Sequence, residues 1–191
     1  MPKSNYEKEN IQVLSDIRHI ILRKNMYIGE GNDPRQLLSE IIDNGLDEVQ
    51  VGYSNEIIVY VDTNSNEYRV RDFGRGIPHG KKDIGNGVQK EVLEVLLTKS
   101  NSGGKFDNKS YSVASGLHGL GLTITNALSN YIEITSYRDG KYVKATAHAS
   151  ENVELEYGKT KEKNGTDVRF QPNKGMFHSD KIPVDFIKDR C

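Results

Sequence analysis

A polar stripe interrupts an apolar run at residues 37–49, LLSEIIDNGLDEV. At about 100° per residue, with Glu40 set at 0°, Asn44 falls at about 40°, Asp47 at about −20° and Asp43 at about −60°. Leu38, Ile41, Ile42, Leu46 and Val49 spread over roughly 100° to 240° on the same count. Glu40, Asp43, Asn44 and Asp47 therefore share one face, opposite the apolar one. None of the three acids has a Lys or Arg four residues on, so the stripe does not stabilise itself. A carboxylate one turn from a carboxamide oxygen suits a general base beside a hard cation. A plain solvated face would carry the same pattern.

A second chemical stretch is RDFGRGIP, 71–78. Asp72 closes a strand-like run, where its carboxylate can accept two N–H donors such as those of an exocyclic amine. The same residue before Gly74 and Gly76 would also suit a simple Asx turn. Two further Gly-rich clusters, SGGKF (102–106) and SGLHGLG (115–121), flank a stretch with Lys105 and Tyr111. Neither fits the G-x-x-x-x-G-K-[ST] phosphate loop or the G-x-G-x-x-G dinucleotide turn. Gly116, Gly119 and Gly121 precede a helical run, however, and free N–H groups at a helix start favour an anion. Each cluster taken singly could be a flexible linker, and His118 a structural histidine.

These groups need a scaffold. A helix is expected over 11–22, a loop over 26–34, and a helix from Pro34 through Gln50. Strands follow at 56–62 and 67–72. A Gly-rich loop at 73–87, an amphipathic helix at 88–98 and a polar loop at 99–116 come next. A helix after Leu120 ends near Ser129. Strands return at 131–138, 141–149, 153–157 and 166–172, the first two joined by an Asp139–Gly140 turn. Helices first and antiparallel strands later imply an α+β, two-layer sandwich rather than an alternating parallel sheet. Loops as long as 73–87 and 99–116 are more often lids or binding loops than connectors.

The 191 residues suit one domain. With 26 basic and 27 acidic residues the net charge is −1, which argues against a direct nucleic-acid-binding surface. The single cysteine, Cys191, allows no disulfide framework and fits a reducing compartment. No targeting segment or long apolar run is evident, so a cytoplasmic protein without a membrane span is expected. The ending IPVDFIKDRC reads as a helix just beginning, as if the chain were part of something longer.

Taken in order, the motifs are E-x-x-D-N-x-x-D-E, D-x-G-x-G-I-P, a Gly-rich lid, G-L-H-G-x-G, and N-G-T at 164–166. This series resembles the ATP-binding domain of type IIA DNA topoisomerases, as in bacterial gyrase and topoisomerase IV, over roughly residues 11–172. The wider GHKL superfamily includes heat-shock chaperones, histidine kinases and mismatch-repair ATPases. NMYIGE (25–30) is similar to a further family segment. The resemblance implies the Bergerat fold: a mostly antiparallel mixed sheet with helices on one face. It divides the chain into an arm (1–10), the ATPase domain (11–178) and the start of a following segment (179–191), with the family's transducer domain absent.

The resemblance also implies roles. Glu40 would be the general base toward the γ-phosphate, and Asn44 the Mg²⁺ ligand. Asp72 would read the adenine amine, with Gly76 and Thr166 sharing an ordered water, and Ile77 and Pro78 would wall the base. Lys105 and Tyr111 would reach the nucleotide from the lid. The N–H groups of Leu117, His118, Gly119, Leu120 and Gly121 would cradle the phosphates. Asp43 and Asp47 would orient Glu40 or the metal's waters, and Arg75 and Arg138 would line the pocket mouth. ATP binding would close a homodimer, with DNA and the cleavage subunit or domain engaged through regions outside this chain. Other readings remain: a chaperone or mismatch-repair type ATPase, a histidine kinase, or a nucleotide switch without hydrolysis. Departures from the family pattern are RKNMYIG for RPGMYIG, Ser115 in place of a glycine, and Phe73 where an acid or Asn is common. They point to a phage, viral or divergent enzyme.

Overall fold

A computed structural model describes residues 14–29, 33–100, 102 and 119–190. The helices are α1 (Asp16–Leu22), α2 (Lys24–Ile28), α3 (Arg35–Gln50), α4 (Val92–Thr98), α5 (Gly121–Leu128) and α6 (Val184–Arg190). The strands are β1 (Ile57–Asp62), β2 (Glu67–Asp72), β3 (Lys81–Asp83), β4 (Gln89–Glu91), β5 (Ser129–Arg138), β6 (Lys141–Ala147), β7 (Val153–Lys159) and β8 (Gly165–Pro172).

Local chemistry starts the helices where they start. The Ser15 hydroxyl accepts the Arg18 N–H and caps α1. The Asp33 carboxylate accepts the Arg35 N–H at 2.7 Å, ahead of α3. Two expectations differ from what forms. The stretch expected as a loop at 26–34 contains the end of α2, whose Tyr27 hydroxyl meets His19 Nδ1 at 2.9 Å. Five residues are too few to show a helical period. Residues 89–91, expected in a helix, pair instead with 81–83 as a two-stranded ribbon. The Glu91 carboxylate accepts the Gly80 N–H at 2.6 Å, and the helix begins only at Val92. A contact across eleven residues outweighs local propensity there.

The main sheet has the order β1-β2-β8-β5-β6-β7, and every pairing in it is antiparallel. The architecture is α+β. Alternation along the strands sends Tyr68, Val70, Ile132, Ile134, Val168 and Phe170 to one face, where they share a core with Leu38, Ile42, Leu97, Ile124 and Leu128 of the helices. Helix α5 packs on α1, α3 and α4 and joins the helical layer. The opposite face of the sheet is polar. It holds a shallow cavity of about 530 Å³ lined by Tyr60, Arg69, Glu133, Tyr137, Asp167 and Arg169, among others. Its charges pair across strands, Arg69 with Asp167 and Arg169 with Glu67.

Topology matters most at β8. The last strand in sequence lies between β2 and β5, so its first residues run beside the C-terminal end of β2. The chain after 178 then packs on the same core through Ile182 and Ile187. The Ile182 N–H donates to the Tyr68 hydroxyl at 2.8 Å, and Asn66 Nδ2 donates to the Asp180 carbonyl at 2.8 Å. Among the described residues no helix is long and apolar enough to cross a membrane.

Phe170 is fully buried where sheet and helices meet and tilts against Tyr68 at 5.7 Å between ring centroids. Phe170→Ala is expected to cost about 3–5 kcal/mol of stability. Urea unfolding followed by far-UV circular dichroism checks this, and an unmoved midpoint would contradict the core described here.

Candidate functional site

The site begins at the end of β2. Asp72 is buried at 7% exposure. One carboxylate oxygen accepts the Gly74 N–H at 2.8 Å, and the other accepts the Thr166 N–H at 3.2 Å. The Asx-turn reading of this residue is what the structure shows, with a second backbone donor added from β8. Burial raises its pKa. The two backbone donors and the Arg71 charge pull the other way, while Glu48 adds to the rise.

Helix α3 lies directly against this strand end. A Cβ on Gly45 would fall 2.9 Å from the Ile57 Cγ2 at the start of β1, too close without a shift, and 3.6 Å from the Asp72 Cβ, an ordinary contact. The loop after Asp72 is pressed onto β5 in the same manner. Gly76 has φ of 72°, and a Cβ there would lie 2.4 Å from the Tyr137 carbonyl oxygen. Ile77, half-buried, accepts the Ser136 hydroxyl at 2.7 Å through its carbonyl, and Pro78 is exposed.

The polar stripe of α3 is not a solvated face. Glu40, Asp43 and Asp47 are 5%, 7% and 2% exposed, and Asn44 is half-buried. Gln36 Nε2 donates to Glu40 Oε1 at 2.8 Å. The start of α5 closes over Glu40: a Cβ on Gly121 would meet Glu40 Oε2 at 2.9 Å. No side chain among the described residues caps that helix start. A helix N-terminus next to a carboxylate offers positive potential at the place where an anion would sit. Asp43 is held by Arg190, an ion pair between α3 and α6.

At the rim, Arg75 grips Glu48 with two side-chain contacts of 2.7 and 3.1 Å and a backbone N–H at 3.0 Å. Its guanidinium carbon lies 4.1 Å from the Tyr53 ring centroid. Arg138 Nη1 donates to the Gly76 carbonyl at 3.2 Å. The structure thus gathers Glu40, Asp43, Asn44, Asp47, Asp72, Gly76, Ile77, Gly121 and Thr166 around α3 and the β2 end, with Gly119 and Leu120 leading into α5. Lys105, Tyr111, Leu117 and His118 lie outside the described residues.

Four contributors escape a reading of the sequence. Gln36 had a signal, since it stands four residues before Glu40. Gly45, Arg71 and Arg190 had none, because their partners come from distant segments. The donor set suits a magnesium nucleotide: a carboxamide oxygen at Asn44, a base candidate at Glu40 and an anion-favouring helix start. Among the described residues no group of three or more His, Cys, Asp or Glu side chains could hold a metal alone. Asn44 would hold such a metal through its carboxamide oxygen, the remaining ligands coming from water or phosphate.

A buried acid at a strand end, a helix carrying acid and carboxamide, and a glycine-led helix start lie together on one α+β scaffold. The profile of the histidine kinase-, DNA gyrase B- and HSP90-like ATPase family matches residues 29–175, and the chain belongs to that family. It is 38% identical over 189 residues to the type 2 topoisomerase B protein of Aquifex aeolicus, covering 97% of this chain and 23% of that protein. It is 39% identical over 184 residues to the DNA gyrase B protein of Treponema pallidum, covering 95% of this chain and 28% of that protein. It is 39% identical over 188 residues to the DNA topoisomerase 4 B protein of Francisella tularensis, covering 97% of this chain and 29% of that protein. The chain thus spans under a third of the length of these relatives.

Asp72 sets a pH dependence. Its folded pKa lies above its unfolded value, so between the two the folded state binds more protons and stability falls as pH rises. Relative to Asp72→Asn, the wild type should therefore lose ground from about pH 4 upward. Urea unfolding of both proteins at stepped pH checks this, and a wild type that gains ground over that range would contradict it.

Proposed function

We propose that this chain is the ATP-binding domain of a type IIA DNA topoisomerase, which binds magnesium ATP and hydrolyses it to operate a gate for DNA strand passage. The observation that carries the reading is the Asp72 carboxylate, fixed at the β2 end by the Gly74 and Thr166 N–H groups and backed by Gly45 of α3. A buried carboxylate with a defined direction suits the exocyclic amine of adenine and rejects a carbonyl at that position. Ile77 and Pro78 would wall the base, and Gly76 and Thr166 would share a water with Asp72.

Phosphoryl transfer to water asks a protein mainly for positioning and charge compensation. Asn44 would hold magnesium, which supplies charge compensation on the phosphates. The N–H groups of Leu117, His118, Gly119, Leu120 and Gly121 would hold the phosphate tail, with Lys105 and Tyr111 reaching in from the lid. Glu40, held by Gln36 and lying against Gly121, would orient the attacking water and take its proton. Asp43 and Asp47 would orient Glu40 or the metal's waters, and Arg75 and Arg138 would line the mouth. ATP binding would bring two such domains together through the arm at 1–10. DNA and the cleavage subunit or domain would be engaged by segments outside this chain, and the protein would work in the cytoplasm. Residues 179–191 would lead into the next segment.

Glu40→Ala in the full-length protein is expected to lose ATP hydrolysis by about two orders of magnitude or more while keeping nucleotide affinity. Phosphate release and calorimetric titration check the two halves. Retained turnover would remove Glu40 from its role, and a wild type that binds ATP without releasing phosphate would favour a switch that does not hydrolyse.

A further inference from the structure

Arg71 is a charged side chain at 5% exposure, one residue before Asp72. Strand alternation puts it on the polar face of the sheet, behind the carboxylate that faces the helices. Its Nη1 donates to the Asp72 carbonyl oxygen at 2.7 Å, and its Nη2 donates to the Lys163 carbonyl oxygen at 2.8 Å. Two rings flank the guanidinium: its central carbon lies 4.8 Å from the Phe73 centroid and 4.5 Å from that of Tyr137. One planar cation therefore ties the end of β2, the turn before β8 and the start of the Gly-rich loop together. Only Arg offers a rigid fork of donors together with a face that stacks on aromatics.

The bond to Lys163 matters because of what stands three residues later. The Thr166 N–H holds the second oxygen of the Asp72 carboxylate. Arg71 thus grips both sides of that contact, one through each carbonyl. Gly165 makes room for it: a Cβ there would fall 2.1 Å from the Asp72 carbonyl oxygen and 2.7 Å from Arg71 Nη1. Any other residue would force the turn away from β2.

We propose that Arg71 is a positioning residue for base recognition, holding the Asp72 carboxylate and the Thr166 N–H in register from the opposite face of the sheet. The inference rests on Asp72 as the adenine reader and adds what sets its direction. Arg71 touches no nucleotide, so its effect is on selectivity for the base rather than on affinity for the phosphates.

Calorimetric titration with magnesium and non-hydrolysable ATP and GTP analogues tests this. The wild type should prefer the adenine analogue. Arg71→Met keeps the bulk of the side chain and removes the donors. It should weaken the adenine analogue about tenfold and leave the guanine analogue nearly unchanged, so that the preference shrinks. Arg71→Lys should fall between the two. Phe73→Leu keeps both hydrogen bonds and removes one stacking face; it should show a smaller loss of preference, and it carries the test should Arg71→Met fail to fold by circular dichroism. A folded Arg71→Met with wild-type preference, or an equal loss for both analogues, overturns the role of Arg71 alone. A wild type that does not distinguish the two analogues overturns the reading of Asp72 and the Arg71 role with it.

Discussion

A buried carboxylate at the end of β2 is the constraint on which the site depends. Taking the Asp72 charge out of water is unfavourable, and its raised pKa records that cost. Two backbone N–H groups offset part of it, one from the next turn and one from β8. The second donor exists only because the last strand of the chain inserts between β2 and β5. Strand order, far from being a detail of topology, supplies half of the group's hydrogen bonding.

Helix α3 answers the same constraint from the other side. Gly45 sits where a Cβ would crowd Ile57 of β1, and earlier on the same helix Glu40 lies against Gly121 at the start of α5. Burial of three acids on one helix needs compensation. Gln36 supplies a donor to Glu40, and Arg190 pairs with Asp43. A half-exposed partner such as Arg190 offsets desolvation without sealing the site, which is compatible with a face that must also receive a ligand. Through that arginine α6 is tied by an ion pair to the helix that bears Glu40 and Asn44.

Much of this was legible in residue types and spacing, and the rest was not for physical reasons. Apolar alternation marks the strands from 131 to 172, since their two faces see different solvents. The helical period of 35–50 separates Glu40, Asp43, Asn44 and Asp47 from the core face. What periodicity could not tell is that the stripe is buried, because the covering groups come from α5 and α6. The helix expected over 88–98 loses its first residues to pairing with 81–83, a contact that no local pattern announces. Arg71 and Arg190 look like ordinary surface cations in the sequence. Lys163 stands 92 residues from Arg71, and Asp43 stands 147 residues from Arg190. The roles of Lys105, Tyr111 and the 117–121 amides rest on resemblance, since spacing alone matched no standard phosphate loop.

The most direct measurement is calorimetric titration of wild type and Asp72→Asn with magnesium and a non-hydrolysable ATP analogue. Removing a charged, desolvated hydrogen-bond partner should weaken binding by about 1–3 kcal/mol, roughly tenfold to a hundredfold, in a protein that remains folded. Equal affinities in the two proteins would contradict the account.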